Sequence, residues 1–153
     1  MLEELKENLL PRDAITEAAA ALLSAIVDSS FDAIVSKTLN GIVTSWNRTA
    51  EELFGYSAAE MIGQNITTII PPELRAEEDY VLGCIRRGEK VPPFETIRQA
   101  KDCRRLNISL TVSPIRDSQG FIIGASKIAR DVTEKKRLER ERDELLVREQ
   151  LAT

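Results

Sequence analysis

Residues 40–63 of the chain, NGIVTSWNRTAEELFGYSAAEMIG, hold the local signals that decide its fold. The segment begins with Asn40-Gly41, two residues that tolerate positive φ, placed between the apolar pairs Ile34-Val35 and Ile42-Val43. Such a dipeptide between two apolar runs is typical of a tight turn between paired strands. The sequence therefore predicts a β-hairpin whose second strand ends at Trp46.

Two short helices are predicted directly after this hairpin. The side chain of Asn47 can accept a backbone N–H bond and begin the first helix, and Gly55 is a natural stop. Ser57, followed three residues later by Glu60, forms a capping-box pattern that begins the second helix. The chain is thus expected to pass from strand to helix to helix with a glycine corner between the helices.

These residues resemble the PAS sensor domains, in particular those of bacterial two-component sensor histidine kinases. Residues 46–63 are similar to the strand and two helices that mark the family, and residues 120–124 and 127–133 are similar to its last strand and exit motif. The resemblance covers residues 31–133. It implies an α+β fold, with a five-stranded antiparallel sheet, helices on one face, and flanking helices at both chain ends.

The remaining core elements follow from apolar periodicity and turn residues. A helix is expected over residues 73–88, after a short apolar turn at 66–70, and Pro92-Pro93 should fix the loop beyond it. Three strands are expected at residues 94–100, 104–115 and 120–132. Apolar and polar residues alternate along the middle strand, which predicts an antiparallel sheet with one buried face.

Residues 1–30 are interpreted as an N-terminal amphipathic helical extension, in which Pro11 makes a kink or begins a second helix. Its apolar stripe can cover the sheet of the same domain. It can also pack against a second subunit, and the two interpretations do not exclude each other. The possible dimer face consists of Ile15, Ala19, Leu22 and Ile26.

Residues 134–153 are interpreted as an outgoing charged signalling helix. Opposite charges four residues apart, such as Arg137 and Glu141, favour an exposed helix. Leu138, Leu145 and Ala152 recur every seven residues, which indicates a coiled-coil seam. The alternative is a solvated helix that frays beyond the domain.

The composition fits one domain and excludes several kinds of partner. The chain has 153 residues, 42% of them hydrophobic, and a net charge of −4 that residues 1–30 supply. No clustered positive charge is present to bind nucleic acid or an anionic membrane. The longest apolar run, residues 18–23, is too short to span a membrane, and no signal peptide pattern opens the chain. A cytoplasmic location is therefore predicted.

The sequence lacks the residue patterns of common catalytic and metal sites. It has no histidine, which removes Ser-His and Cys-His pairs, histidine metal ligands and a phospho-accepting histidine. Phosphate-loop and dinucleotide-binding motifs are also missing. Cys84 and Cys103 lack disulfide or zinc spacing and are expected to stay reduced, with redox sensing as the alternative. No catalytic residue and no metal are predicted, although the parent protein could be a histidine kinase.

The resemblance allows each family cofactor to be compared with the residues present. Flavin-linked photosensors carry a reactive cysteine after Gly-x-Asn, whereas Ile66 follows Gly63-Gln64-Asn65 here. Haem-binding relatives use a histidine on the long helix, where this chain offers Tyr80 and Cys84, so haem is not expected. Non-covalent flavin stays open, because it needs only a suitable pocket. No cofactor is predicted.

A small apolar cavity is expected between the inner face of the sheet and the helices. The alternative for every residue around it is ordinary core packing, since ligand pockets are themselves mostly apolar. The expected lining, from alternation and the resemblance, is Phe54, Met61, Ile66, Ile69, Tyr80, Cys84, Leu110, Val112 and Ile123.

Asp131 and Thr133 resemble the exit motif that joins the last PAS strand to the outgoing helix. Thr133 is placed to cap that helix, and Asp131 can accept hydrogen bonds. Glu95 is expected to pair with Lys101 or Arg104, and the alternative is an isolated surface charge.

The sequence therefore predicts a PAS module for signal transduction. It would sense a small-molecule ligand or a redox state, form a homodimer through its N-terminal and C-terminal helices, and transmit to a downstream kinase domain of the parent chain. Two alternatives are a ligand-free dimerisation spacer and a flavin-binding redox sensor.

Overall fold

The computed structural model describes the backbone of residues 2–152 and the side chains of residues 16–152. The chain divides into two compact units, residues 1–30 and 31–153. In chain order the elements are α1 (Leu2–Ser29), β1 (Ala33–Thr38), β2 (Val43–Trp46), α2 (Arg48–Phe54), α3 (Ala58–Met61), α4 (Arg75–Arg86), β3 (Val91–Gln99), β4 (Arg105–Arg116), β5 (Ile122–Asp131) and α5 (Thr133–Ala152). Two short 3₁₀ helices, Ile66–Ile69 and Pro72–Leu74, connect α3 to α4.

The first unit is the single helix α1. It runs without a break from Leu2 to Ser29, so Pro11 does not begin a second helix. Within the possible dimer face, Ala19, Leu22 and Ile26 are exposed, whereas Ile15 lies outside the described side chains.

The second unit is built on a five-stranded antiparallel sheet with the order β2-β1-β5-β4-β3. The last strand, β5, lies in the centre and pairs with β1 on one side and β4 on the other. This arrangement confirms the predicted sheet. It also places the first and last strands of the domain side by side, so the exit to α5 lies next to the chain's entry into the sheet.

One face of this sheet is buried under α2, α3 and α4. In β4 the alternate residues Leu106, Ile108, Leu110 and Val112 are buried, as their spacing predicts. They join Phe54 of α2 and Ile85 of α4 in one hydrophobic core. The helices therefore cover a single face, as the α+β prediction requires.

The predicted hairpin forms, but its turn differs in detail. Gly41 has a φ of +85°, whereas Asn40 does not adopt positive φ. The Gly41 N–H donates to the Thr38 carbonyl over 3.0 Å, and the Ile42 carbonyl accepts from the Thr38 N–H over 2.8 Å. The loop thus has three residues, and only its last one needs the left-handed conformation that glycine adopts easily.

The predicted helix starts are confirmed. Asn47 Oδ1 accepts from the backbone N–H of Ala50, and Gly55 ends α2 in a left-handed conformation. Ser57 and Glu60 form the complete capping box of α3. These bonds satisfy amides at the first turns, which have no partner within their own helices.

Pro92 and Pro93 lie inside β3 rather than in a loop before it. The prediction of a loop was wrong because β3 is an edge strand, where a missing N–H costs little. The register also shifts between Val91 and Phe94, so this pair occupies a bulge. An edge position and a bulge together accommodate two prolines.

The turn between β3 and β4 offers a simple stability test at Cys103. This residue is exposed and has a φ of +70°, the left-handed region that disfavours side chains with a Cβ. Replacing Cys103 with glycine is expected to raise the free energy of unfolding by about 0.5 to 1 kcal/mol, as relief of strain exceeds the added chain entropy. Urea denaturation checks this, with Cys103→Ala as the control that keeps the strain. Equal stability of the two variants would contradict the prediction.

Candidate functional site

A small cavity lies against the inner face of the sheet. Its volume is about 20 Å³, which is room for about one water molecule. Six apolar residues and two cationic ones line it: Val35, Phe54, Ile66, Ile69, Leu110, Ala129, Arg98 and Lys127. The cavity is therefore apolar along most of its wall and positively charged on one part of it.

The structure divides the predicted pocket residues into three groups. Phe54, Ile66, Ile69 and Leu110 line the cavity. Met61, Cys84 and Val112 are buried core residues that are not part of its lining. Tyr80 and Ile123 are 67% and 53% exposed, so their assignment to the pocket is corrected.

Both corrections have a local physical reason. The inward stripe of α4 runs through Glu78, Val81 and Ile85, which leaves Tyr80 on the outer side of the helix. At the start of β5 the pairing shifts between Ile115 and Arg116. A bulge reverses the alternation of faces, so Ile122 packs against the core and Ile123 faces outward.

The main feature of the inner face is a cluster of buried charges that sequence reasoning missed. Three cations project from three strands, Lys37 from β1, Arg98 from β3 and Lys127 from β5, and all are buried. Two adjacent carboxylates of α4, Glu77 and Glu78, face them. The signal was present in the sequence, because these cations occupy alternate positions that share a strand face with apolar residues.

Glu78 bridges the two lysines. Its Oε2 lies 2.7 Å from Lys127 Nζ, and its Oε1 makes a close ion pair with Lys37 Nζ. Glu77 contacts Arg98 on the edge strand β3, with 3.1 Å between Oε1 and Nη1, and also accepts from the Thr96 hydroxyl over 2.7 Å. One carboxylate thus contacts both lysines, and the other contacts the arginine.

Burial changes the protonation of this cluster. Desolvation, together with the positive charge of Lys127, lowers the pKa of Lys37 below its usual value of 10.5. Desolvation also lowers the pKa of Lys127 from its usual value. The pKa of Arg98 is lowered by burial as well, although Glu77 opposes that effect. When all three cations are protonated, the cluster holds one positive charge more than its two carboxylates balance.

Stability is therefore expected to rise with pH above about pH 7. Between the lowered pKa values and 10.5 the folded chain binds fewer protons on Lys37 and Lys127 than the unfolded chain does. The free energy of unfolding then increases by up to about 1.4 kcal/mol per pH unit for each missing proton. Urea unfolding at pH 7, 8 and 9 measures this slope, and no histidine titrates in the chain.

The matched control for this pH series is Lys127→Met. It removes one titrating group and should reduce the slope. A free energy of unfolding that stays flat or falls over the same range in the unmodified protein would contradict the lowered lysine pKa values.

The exit residues lie at the junction of β5 and α5. Asp131 Oδ1 accepts from both the backbone N–H and the hydroxyl of Thr133, at 2.9 Å and 2.6 Å. The Asn107 N–H of β4 donates to Thr133 Oγ1 over 3.0 Å, and the Asn107 carbonyl accepts from the Val132 N–H over 2.8 Å. The sequence predicted that Thr133 caps α5. In the structure its hydroxyl attaches the start of α5 to β4.

Glu95 also connects the sheet to α5. It forms a close ion pair with Lys136, one turn into the helix. The predicted partners are engaged elsewhere: Lys101 pairs with Glu60 at 2.6 Å and Arg104 with Asp102 at 2.7 Å. Glu95 therefore forms an ion pair, as predicted, but with a different partner. Its closeness in sequence to Lys101 and Arg104 did not indicate the pairing with Lys136.

A family model described as the PAS fold matches residues 21–132. The chain belongs to the PAS family. Its resemblance to the sensor domains of kinases is also supported by a relative. Over 115 residues this PAS chain is 28% identical to the signal transduction histidine-protein kinase AtoS of Escherichia coli (strain K12), covering 75% of this chain and 18% of that kinase.

A second relative is a probable serine/threonine-protein kinase of Dictyostelium discoideum. The identity is 33% over 60 residues, which is 39% of this chain and 4% of that protein. The PAS chain therefore spans less than a fifth of the length of either kinase.

Solved structures share the PAS fold. The PAS domain of a protein from Colwellia psychrerythraea has a TM-score of 0.68 and 29% identity, covering 76% of this chain and 98% of that one. An RNA-binding light-oxygen-voltage receptor has a TM-score of 0.70, 20% identity and coverage of 90% and 39%. The chain is thus a PAS sensory domain related to the sensor domains of histidine kinases.

Residues 2–152 contain no helix with the length and apolar character needed to cross a membrane.

Proposed function

We propose that this PAS domain is the input module of a cytoplasmic signalling protein, in which a change on the inner face of the sheet is passed through α5 to a following effector such as a histidine kinase transmitter. The proposal rests on the hydrogen bonds that attach the start of α5 to the sheet. The first residue of this helix is bonded to Asn107 of β4 and to Asp131 of β5. A shift between these two central strands therefore acts directly on the start of the helix.

A contiguous set of contacts connects the cavity to the same helix. Arg98 lines the cavity and bonds to Glu77, which also accepts from Thr96. Thr96 is adjacent in β3 to Glu95, whose carboxylate pairs with Lys136 of α5. Neighbouring strand residues face opposite sides of a sheet, so this path crosses from the inner face to the outer one. A ligand that favours one arrangement of these contacts would bias the position of α5.

The proposal includes a homodimer formed through α1 and α5. Leu22 and Ile26 of α1 and Leu138 and Leu145 of α5 are each at least half exposed, and apolar side chains on both helices can be buried by a second copy. Sedimentation equilibrium of the chain tests this part. A monomer at the highest accessible concentration would refute the dimer.

Transmission is tested by removing one hydroxyl at the exit. Thr133→Val keeps the side-chain shape but loses the bonds to Asn107 and Asp131. In a chimera with a kinase transmitter joined after α5, this variant is expected to change the autophosphorylation rate. It should also speed amide exchange in the first turn of α5 by at least roughly 5-fold, because two hydrogen bonds of the hydroxyl are lost.

The matched control is Thr111→Val, the same substitution on the outer face of β4. It should leave both the exchange of α5 and the kinase output unchanged. If Thr133→Val alters kinase output no more than Thr111→Val does, transmission through this junction is refuted.

The absorption spectrum and native mass of freshly purified protein separate the main alternatives. A retained small molecule supports a ligand sensor, and a yellow chromophore supports a flavin-based redox sensor. A dimer without any bound molecule supports a dimerisation spacer.

A further inference from the structure

We infer that the inner cavity binds a small organic monoanion, a carboxylate with a short hydrocarbon chain, held by Arg98 and Lys127. This inference rests on the proposed sensory function and specifies the class of ligand. It is carried by the charge balance of the inner face, an unpartnered group of Arg98, and the size and lining of the cavity.

The charge balance calls for one further negative group. The charged groups that face one another across the core are Lys37 of β1, Arg98 of β3, Lys127 of β5, and Glu77 and Glu78 of α4. Two carboxylates cannot neutralise three cations. Buried charges are normally paired, because the cost of removing an ion from water is high. A bound monoanion would complete the pairing.

Arg98 supplies the free donor. Its side chain is 3% exposed, and all its hydrogen bonds to Glu77, Thr96 and the Ile97 carbonyl are made by Nη1. Its Nη2 is buried without a hydrogen-bond partner among the described residues. Unsatisfied buried donors are rare, and a guanidinium matches a carboxylate particularly well. Arg98 also lines the cavity, together with Lys127.

The rest of the lining selects the chemical type of anion. Phe54, Ile66 and Ile69 belong to its apolar part, which favours a hydrocarbon tail over a fully polar ion such as phosphate. The cavity of about 20 Å³ holds a single water-sized group, so even the shortest carboxylate enters only when lining side chains move apart, and each added carbon atom needs a larger movement. Long fatty acids do not fit this description.

Protonation of the lysines would be coupled to binding. Without the anion, burial holds the pKa values of Lys37 and Lys127 well below 10.5. A carboxylate beside Lys127 favours the charged form of the lysine. Ligand binding near pH 8 is therefore expected to take up a proton, which is measurable as a dependence of the binding heat on the buffer.

The protein carries its own reporter for the cavity. Trp46 is the single tryptophan, and its ring centroid lies 5.5 Å from that of Phe54, which lines the cavity. Occupation of the cavity should move Phe54 and change the fluorescence of Trp46. Ordinary surface binding would leave this buried pair unaffected.

The experiment is a titration of the chain with sodium formate, acetate, propionate and butyrate at constant ionic strength. Sodium chloride and the neutral analogues acetamide and propionamide are the controls. At least one carboxylate is expected to give a saturable change in Trp46 fluorescence with at least 10-fold higher affinity than chloride or the amides. Equal responses to carboxylates and controls, or no saturable response, would overturn the inference.

Variants locate the site. Arg98→Gln should weaken carboxylate binding at least 10-fold, whereas Arg130→Gln, an exposed arginine paired with Asp32, should leave it unchanged. Unchanged binding in Arg98→Gln would overturn the inference. Should Arg98→Gln fail to fold, calorimetry of the unmodified protein in two buffers decides instead: proton uptake supports the site, and binding without uptake contradicts it.

The two proposals fail separately. A protein that ignores carboxylates, while Thr133→Val still alters kinase output, refutes the ligand class and leaves the signalling function standing. Carboxylate binding combined with an unchanged output in Thr133→Val would instead support the site and refute transmission through the junction.

Discussion

Replacing Glu78 with glutamine is expected to lower the free energy of unfolding by about 3 to 4 kcal/mol at pH 7. Glutamine has the same shape but no charge, so Lys37 and Lys127 would lose the carboxylate that bridges them. Both lysines are almost fully buried and lie beside a third cation, Arg98. Removing one partner of a buried ion pair is costly, because the remaining charge has neither water nor a counterion.

The matched control is Glu73→Gln. Glu73 pairs with Arg105, but the side chains of both residues are 51% exposed. Exposed pairs contribute little, because water already screens their charges, so this variant should leave the free energy of unfolding nearly unchanged. The comparison uses the same substitution and separates the effect of burial from the effect of losing a carboxylate.

The dependence of the Glu78→Gln cost on pH gives a second test. As the pH rises toward 10, the lysines lose their protons in both folded and unfolded chains, and the destabilisation should shrink. Adding Lys37→Met and Lys127→Met should recover most of the lost stability, because the uncompensated charges are then gone. A loss below about 1 kcal/mol at pH 7, or no recovery in the triple variant, would contradict this role of Glu78.

The elements that could be predicted from the sequence are those whose stabilising contacts are local. Asn47, Gly55 and the Ser57/Glu60 capping box act within a few residues of the helix ends that they fix. The alternation of buried and exposed residues in β4 is also a local pattern. These features identified the fold because each can be recognised without knowing which strands are neighbours.

The charge cluster could not be predicted in the same way. Val35 is paired with Lys127, and Lys37 with Ala125, so the two lysines meet only because β1 and β5 are adjacent and in this register. Glu78 then reaches both from a helix in the middle of the chain. The sequence of α4 alone does not reveal that Glu77 and Glu78 face the sheet, because their cationic partners lie on strands distant in the chain.

The partner of Glu95 illustrates the same limit at the surface. Lys101 and Arg104 are near Glu95 in sequence, but Lys136 is nearer in space because α5 begins beside β4 and β3. Likewise, Ile123 was assigned to the cavity from strict alternation, which the shift in pairing at Arg116 interrupts. Sequence periodicity cannot reveal a bulge that depends on the neighbouring strand.

Replacing Gly124 with alanine is expected to lower the free energy of unfolding by about 3 kcal/mol. Gly124 lies in the central strand β5, paired with Thr38 of β1 and Ile115 of β4. An added Cβ would come within 2.3 Å of the Lys37 carbonyl oxygen. That oxygen belongs to the backbone of the neighbouring strand and cannot rotate away as a side chain can, so β1 and β5 must separate locally.

The matched control is Gly83→Ala. At this position in α4 the nearest atom to an added Cβ is Arg87 Nη1 at 3.6 Å, an ordinary contact. Alanine is a better helix former than glycine, so this variant should gain up to about 1 kcal/mol. Urea denaturation followed by Trp46 fluorescence measures both variants, and opposite signs are expected for the same chemical change.

The Gly124→Ala variant also tests the connection between the sheet and the charge cluster. The clash falls on the backbone of Lys37, whose side chain contacts Glu78. Displacing β1 should loosen that contact and give Lys37 access to water, which returns its pKa toward 10.5 and reduces the rise of stability with pH. A Gly124→Ala protein as stable as the unmodified chain would show that β1 and β5 are not packed as closely as described. A destabilised protein with an unchanged pH slope would show that the lysine cluster tolerates the displacement of β1.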